Sequence, residues 1–88
     1  MNASSLPHDG PMPVTSRIGK VLRKIREEQH RTQEEVAREA DISPMGLHFI
    51  ETQVRFPQMN TVERISFALH TPLAVVIVVA SLNEPADG

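Results

Sequence analysis

Apolar residues recur along this chain with a helical period, in blocks set apart by short polar stretches. In "SRIGKVLRKIREEQH", Ile18, Val21, Leu22 and Ile25 stand at i, i+3, i+4 and i+7, which predicts a first helix with Thr15 or Ser16 as its cap. "TQEEVAREA" opens with Thr32 and Glu35 three residues apart, the spacing of a capping box, and turns Val36, Ala37 and Ala40 inward on a second helix. "DIS" leaves room only for a tight corner. Ser43 then supplies a cap and Pro44 takes the first helical position, where a missing amide proton costs nothing. The third helix therefore runs over 44–52, with Leu47 and Ile50 inward and Met45, His48, Phe49 and Thr52 on or near the outer side. "QVRFPQM" reads as a loop, and Asn60 with Glu63 repeats the cap-and-box spacing ahead of Val62, Ile65, Ala68 and Leu69 on a fourth helix.

The last apolar block, "LAVVIVVASL" from Leu73 to Leu82, follows Thr71 and Pro72 and has only Ser81 as a polar member. Its run of β-branched residues from Val75 to Val79 favours a strand by propensity, whereas four preceding helices favour a fifth. The expected fold is all-α with five helices, and a strand is the alternative for this segment. As a helix it is apolar on every side, and one small domain can cover only one of them. Val75, Val76, Val78, Val79 and Leu82 are therefore the expected homodimer interface, with a fully buried last helix in a monomer as the alternative.

Residues 1–15 hold Pro7, Gly10, Pro11 and Pro13 with few large apolar side chains, so they are expected to form a flexible arm; 16–82 is the folding unit and 83–88 a disordered tail. A chain of 88 residues is one small domain of marginal stability as a monomer. It has no cysteine, which excludes disulfides, thiolate metal sites and cysteine nucleophiles and fits a reducing cytoplasm. The one long apolar run is about half the ~20 residues that a membrane span needs, and no membrane association is expected. The net charge of −2 conceals a crowding of Arg17, Lys20, Arg23, Lys24, Arg26 and Arg31 near the start, with no Lys or Arg after Arg64. That crowding reads either as a local basic face or as the solvated side of the first helix balanced by Glu27 and Glu28. His8, His30, His48 and His70 offer no pair at one-turn helical spacing with a third ligand nearby, so no metal or other cofactor is expected. Ser43 is committed to capping, no motif supplies an oxyanion hole, and an enzyme is not expected.

The second and third helices with their short corner make a helix-turn-helix. Here the sequence resembles the phage-repressor-like (Xre/Cro) family of DNA-binding domains, with a lambda-repressor-like fold. The matching residues are "IGKVLRKIREEQHRTQEEVAREADIS", then Leu47, Ile50 and Glu51, then Pro57, then "TVERISFALHTPL", covering about Ile18 to Ala80. The resemblance implies that Gln33 bonds a DNA phosphate and braces the third helix. It implies that Pro44, Met45, Gly46 and His48 approach base edges in the major groove. Arg55 in the following loop and Asn60 and Thr61 at the start of the fourth helix would supply further phosphate contacts. Glu51 would tie the third helix to the scaffold by pairing with a basic residue such as Arg26. Ala37 would allow a close crossing of the second and third helices, and Ile42 would plug the corner into the core.

The sequence departs from the family at Gln53, where relatives usually close the third helix with a glycine, and at Pro44, Met45 and Gly46. Direct readout uses Arg on guanine and Asn or Gln on adenine. The outer face of the third helix has none of these, only Met45 and the Pro44 ring for thymine methyls, His48 as a donor, and Gly46 for close backbone approach. Shape, spacing and phosphate placement are expected to carry much of the selectivity. The expected function is a dimeric repressor or autoregulator acting on double-stranded DNA. An antitoxin-like or other protein-binding module and a restriction-modification controller protein remain as alternatives.

Overall fold

The computed structural model describes residues 14–52 and 57–82, which form five helices: α1 (Val14–Glu28), α2 (Gln33–Ala40), α3 (Pro44–Glu51), α4 (Met59–Ala68) and α5 (Leu73–Leu82). Arg55 and Gln53 lie outside the described residues. The inward stripes of the five helices close on one core in which Leu22, Val36, Leu47, Val62, Ile65, Leu69 and Val76 are fully buried. α1 packs against α3 and α5, α2 against α3 and α4, and α4 against α5. At about 25 cal/mol per Å² of apolar surface this burial is the main favourable term, and it is small in a chain of this size.

Four helix starts are settled in different ways. α2 has the expected capping box: Thr32 Oγ1 accepts from the Glu35 amide at 3.0 Å and Glu35 Oε1 accepts from the Thr32 amide at 2.9 Å. α3 has the expected Ser43 cap, whose Oγ accepts from the Gly46 amide at 2.9 Å, and Pro44 at its first position. α4 corrects the sequence expectation. It begins at Met59 after Gln58, which makes no side-chain cap bond, so Asn60 and Thr61 lie within the first turn and no Asn60–Glu63 box forms. Burial of Val62, Ile65 and Leu69 sets the phase of this helix without help from a cap. α1 likewise begins at Val14, ahead of Thr15 and Ser16, so neither residue is its cap and the helix reaches into the stretch expected to be an arm. The buried Arg17 explains the extension: its Nε donates to the Ala80 carbonyl at 2.7 Å, pinning the first turns of α1 to the end of α5.

Leu73–Leu82 is a helix and not a strand. Local preference disfavours five β-branched residues here by only tenths of a kcal/mol each. Against this, a helical period buries Val76 and Ala80 four residues apart, Pro72 accepts the first amides, and Arg17 satisfies the orphan Ala80 carbonyl. α4 and α5 meet at 107°.

The helices turn without glycine. His30, Asp41 and His70 take left-handed backbone at φ 58°, 61° and 56° after α1, α2 and α4. Each such residue carries roughly 1–2 kcal/mol of strain that glycine would not. At the α2–α3 corner the Asp41 amide closes on the Ala37 and Arg38 carbonyls, and the Ile42 amide on the Ala37 carbonyl at 2.9 Å, which turns Ile42 against the core.

Glycine is required elsewhere. Gly19 is buried where α1 crosses α3, and a Cβ on it would overlap the carbonyl oxygen of Ile50. Alanine is intrinsically the better helix former by about 1 kcal/mol, yet Gly19→Ala should lower the stability to urea by about 1–3 kcal/mol through overpacking. A gain in stability would show that α1 and α3 do not approach this closely.

Candidate nucleic-acid interface

The amino ends of α2, α3 and α4 carry most of the residues expected to meet DNA. At α2 the box uses the amides of Thr32 and Glu35 and leaves those of Gln33 and Glu34 without an acceptor among the described residues, at the positive end of the helix dipole. At α4 the amides of Met59 and Asn60 are in the same condition. Between α3 and α4 lies an open hollow of about 490 Å³ lined by Ile42, Ser43, Gly46, Ile50, Pro57, Gln58 and Thr61, so Gly46 and Thr61 share one rim. Asn60 is exposed beside it.

On α3, Pro44, Met45 and His48 are exposed, Met45 by 58%. Gly46 is half-buried and has a second reason to be glycine: a Cβ there would stand 3.0 Å from the Ser43 capping oxygen. Phe49, expected near the outer side, is half-buried, its ring centroid 6.0 Å from that of His48. The Thr52 hydroxyl donates back to the His48 carbonyl at 2.8 Å, which leaves it only as an acceptor toward a partner.

The carboxylate of Glu51 holds this surface together. Arg26 grips it with two donors, Nε to Oε2 at 2.7 Å and Nη2 to Oε1 at 2.9 Å, and the pair is almost wholly out of water. The Glu51 bond raises the Arg26 pKa above its already high ordinary value, more than burial lowers it, so the cation is held firmly. Gln33 Nε2 also donates to Glu51 Oε1, at 2.9 Å. A carboxylate only accepts, so the amide nitrogen of Gln33 must face Glu51, and its second hydrogen remains for another acceptor. The start of α2 and the end of α3 are thus joined through one buried anion, the scaffold role expected of Glu51.

Half of the basic crowd near the start of the chain, Arg17, Arg26 and Arg31, is internal wiring, while Lys20, Arg23 and Lys24 are exposed. Arg17 reaches Ala80, Arg23 pairs with Glu27 at 3.0 Å, and Arg26 holds Glu51. Arg31, whose role the sequence did not reveal, bonds Glu39 at 2.7 Å and the Ala68 carbonyl at 2.7 Å, and its own carbonyl accepts from Arg26 at 2.7 Å. The Arg31 bond lowers the pKa of Glu39 and keeps that carboxylate ionised. Gln29 caps the Leu69 carbonyl at 2.8 Å, so the α1–α2 corner closes the end of α4. Lys20 and Lys24 are the exposed cations of α1 without such a bond among the described residues. The spacing of Arg23 and Glu27 was a readable signal; nothing local in the sequence marks Arg31 or Gln29.

On α5, Val75, Val78, Val79 and Leu82 are exposed, and Val76 is fully buried in the core. Val76 therefore belongs to the monomer's interior and cannot contribute to an outer face.

A family profile described as helix-turn-helix matches residues 22–76. Among solved structures, the clp gene regulator ClgR from C. glutamicum superposes with a TM-score of 0.76 at 22% identity, over 83% of this chain and 94% of that one. A point variant of the restriction-modification controller protein C.Esp1396I gives a TM-score of 0.74 at 24% identity, over 80% of this chain and 91% of that one. No curated protein matches the sequence. The structural likenesses speak for the fold, and the profile covers well over half of the 88 residues, including α2, the corner and α3. The chain belongs to the helix-turn-helix family, in its phage-repressor-like (Xre/Cro) form.

Proposed function

We propose that this chain, a DNA-binding transcriptional regulator by family, docks α3 in the major groove of double-stranded DNA as one half of a homodimer and acts as a repressor or autoregulator. The observation that carries the reading is the bond from Gln33 to Glu51. It fixes the amide of Gln33 beside the open amides at the start of α2, where one phosphate oxygen can accept from both. Asn60 and Thr61 take a second phosphate from the start of α4, and Arg55 adds a cation from the loop between. Pro44, Met45, Gly46 and His48 then face base edges. With an exposed thioether and imidazole and no forked donor, they favour thymine methyls and single hydrogen bonds over a full base code. Placement on the phosphates and the shape of the duplex supply the remaining selectivity.

The dimer reading rests on the outer face of α5. Val75, Val78, Val79 and Leu82 form an uncharged apolar surface on a helix whose other side is already seated. A two-fold pair through this face would present two α3 helices to half-sites about 34 Å apart. No single helix among the described residues is long and apolar enough to cross a membrane. The reading places the protein in the cytoplasm with its DNA and gives it no enzymatic role.

Gln33→Ala should weaken binding about tenfold to all duplexes alike while leaving the salt slope unchanged, because a neutral amide on a phosphate displaces no counterion. Fluorescence anisotropy at several salt concentrations checks this, and an unaltered affinity would remove Gln33 from the interface. For the dimer, Val78→Asp is the informative variant, since Val78 is 53% exposed and little monomer packing is lost, whereas a charge at Val76 would unfold the core. Sedimentation should show Val78→Asp as a folded monomer at concentrations where the parent is a dimer. A dimer that survives the substitution would exclude the α5 face.

A further inference from the structure

The outer face of α4 carries a feature that DNA docking does not use. Phe67 is 82% exposed, the most open of the chain's large apolar side chains among the described residues. It stands at the edge of a hollow of about 420 Å³ whose other lining residues are Glu39, Ala40, Asp41, Glu63 and Arg64. The hollow sits at the carboxyl end of α2 and along α4 from Glu63 to Phe67, whereas Gln33 stands at the amino end of α2. Gln33 to Ala40 spans about 10 Å of helix at 1.5 Å per residue, which separates the hollow from the Gln33 contact along α2.

The charge around Phe67 is unbalanced. Glu63 has no cationic partner among the described residues. Asp41, with a carboxylate 95% exposed, meets Arg64 only at 4.0 Å. Glu39 is paired with Arg31 and is kept ionised by it. Neither terminal stretch of this chain answers that charge: residues 1–13 contain no Lys or Arg, and 83–88 add only Glu84 and Asp87. The exposed face of α5 has no charged residue, so a second copy docking through it would leave Glu63 unmatched.

We propose that the Phe67 hollow is a protein-docking surface for a cationic amphipathic segment of another protein, one that sets an apolar side chain on the Phe67 ring and Lys or Arg against Glu63 and Asp41. The contact is independent of how α3 reads DNA and leaves the α5 face open. An aromatic anchor beside Glu63, which has no cationic partner among the described residues, and the weakly paired Asp41 places the affinity in Phe67 and the selectivity in the carboxylates.

The test is an NMR titration of the full chain with two synthetic helical peptides of one pattern, Lys/Leu and Glu/Leu. The Lys/Leu peptide should give saturable shifts at Ala40, Asp41, Glu63 and Phe67 that weaken with salt. Phe67→Ser should weaken that binding about tenfold, equivalent to 1.4 kcal/mol, and Glu63→Gln should weaken it less. The Glu/Leu peptide should leave these residues unmoved. Shifts confined to other surfaces, equal binding of both peptides, or binding that Phe67→Ser leaves unchanged would overturn the proposal. So would a change in the sedimentation of the chain itself on Phe67→Ser, which would make a second copy the occupant.

Discussion

A single buried carboxylate organises this molecule. Glu51 ends α3, and its oxygens take two donors from Arg26 on α1 and one from Gln33 on α2. A pair so far from water gives little net stability over an apolar replacement, because desolvation offsets most of the attraction. What it contributes is direction. A fork of two hydrogen bonds accepts one orientation of the guanidinium, so α3 cannot slide along α1, and Gly19 beneath the crossing lets the two backbones close to the distance that the fork requires.

The same wiring continues away from the DNA side. Arg26 also holds the Arg31 carbonyl, Arg31 and Gln29 close the end of α4, and Arg17 closes the end of α5. Helix ends expose carbonyls that need donors, and a small core leaves many ends near its surface. Much of the basic charge near the start of the chain answers those carbonyls and three carboxylates, Glu27, Glu39 and Glu51. This reconciles a net charge of −2 with the proposed docking on DNA, in which helix amino ends, an oriented amide and few free cations would meet the phosphates.

The helices were legible wherever an apolar period and a cap agreed. Thr32 with Glu35, and Ser43 with Pro44, located α2 and α3, and the family resemblance anticipated the pairing of Glu51 with Arg26. The start of α4 was misread because Asn60 is a good cap by type, while burial of Val62 and Ile65 began the helix at Met59. α5 looked ambiguous because propensity is local and the forces that decided it, burial of Val76 and the Arg17 bond, come from distant residues. Arg17 and Arg31 looked like surface charge for the same reason, since their partners are fixed by the tertiary fold, whereas the Arg23–Glu27 pair is local and lies on the surface. At the site, the resemblance gave Gln33 a bracing role, and its bond to Glu51 on α3 could not be read from spacing.

If Glu51 is the organising centre, Arg26 and Glu51 must be strongly coupled. A double-mutant cycle in urea, with Arg26→Met, Glu51→Leu and the two combined, measures that coupling directly. Each single change strands a buried charge and should lose about 3–5 kcal/mol, whereas the double variant strands neither and should recover a coupling energy of about 2 kcal/mol or more. Additive losses would contradict the account and reduce the pair to two independent surface contacts.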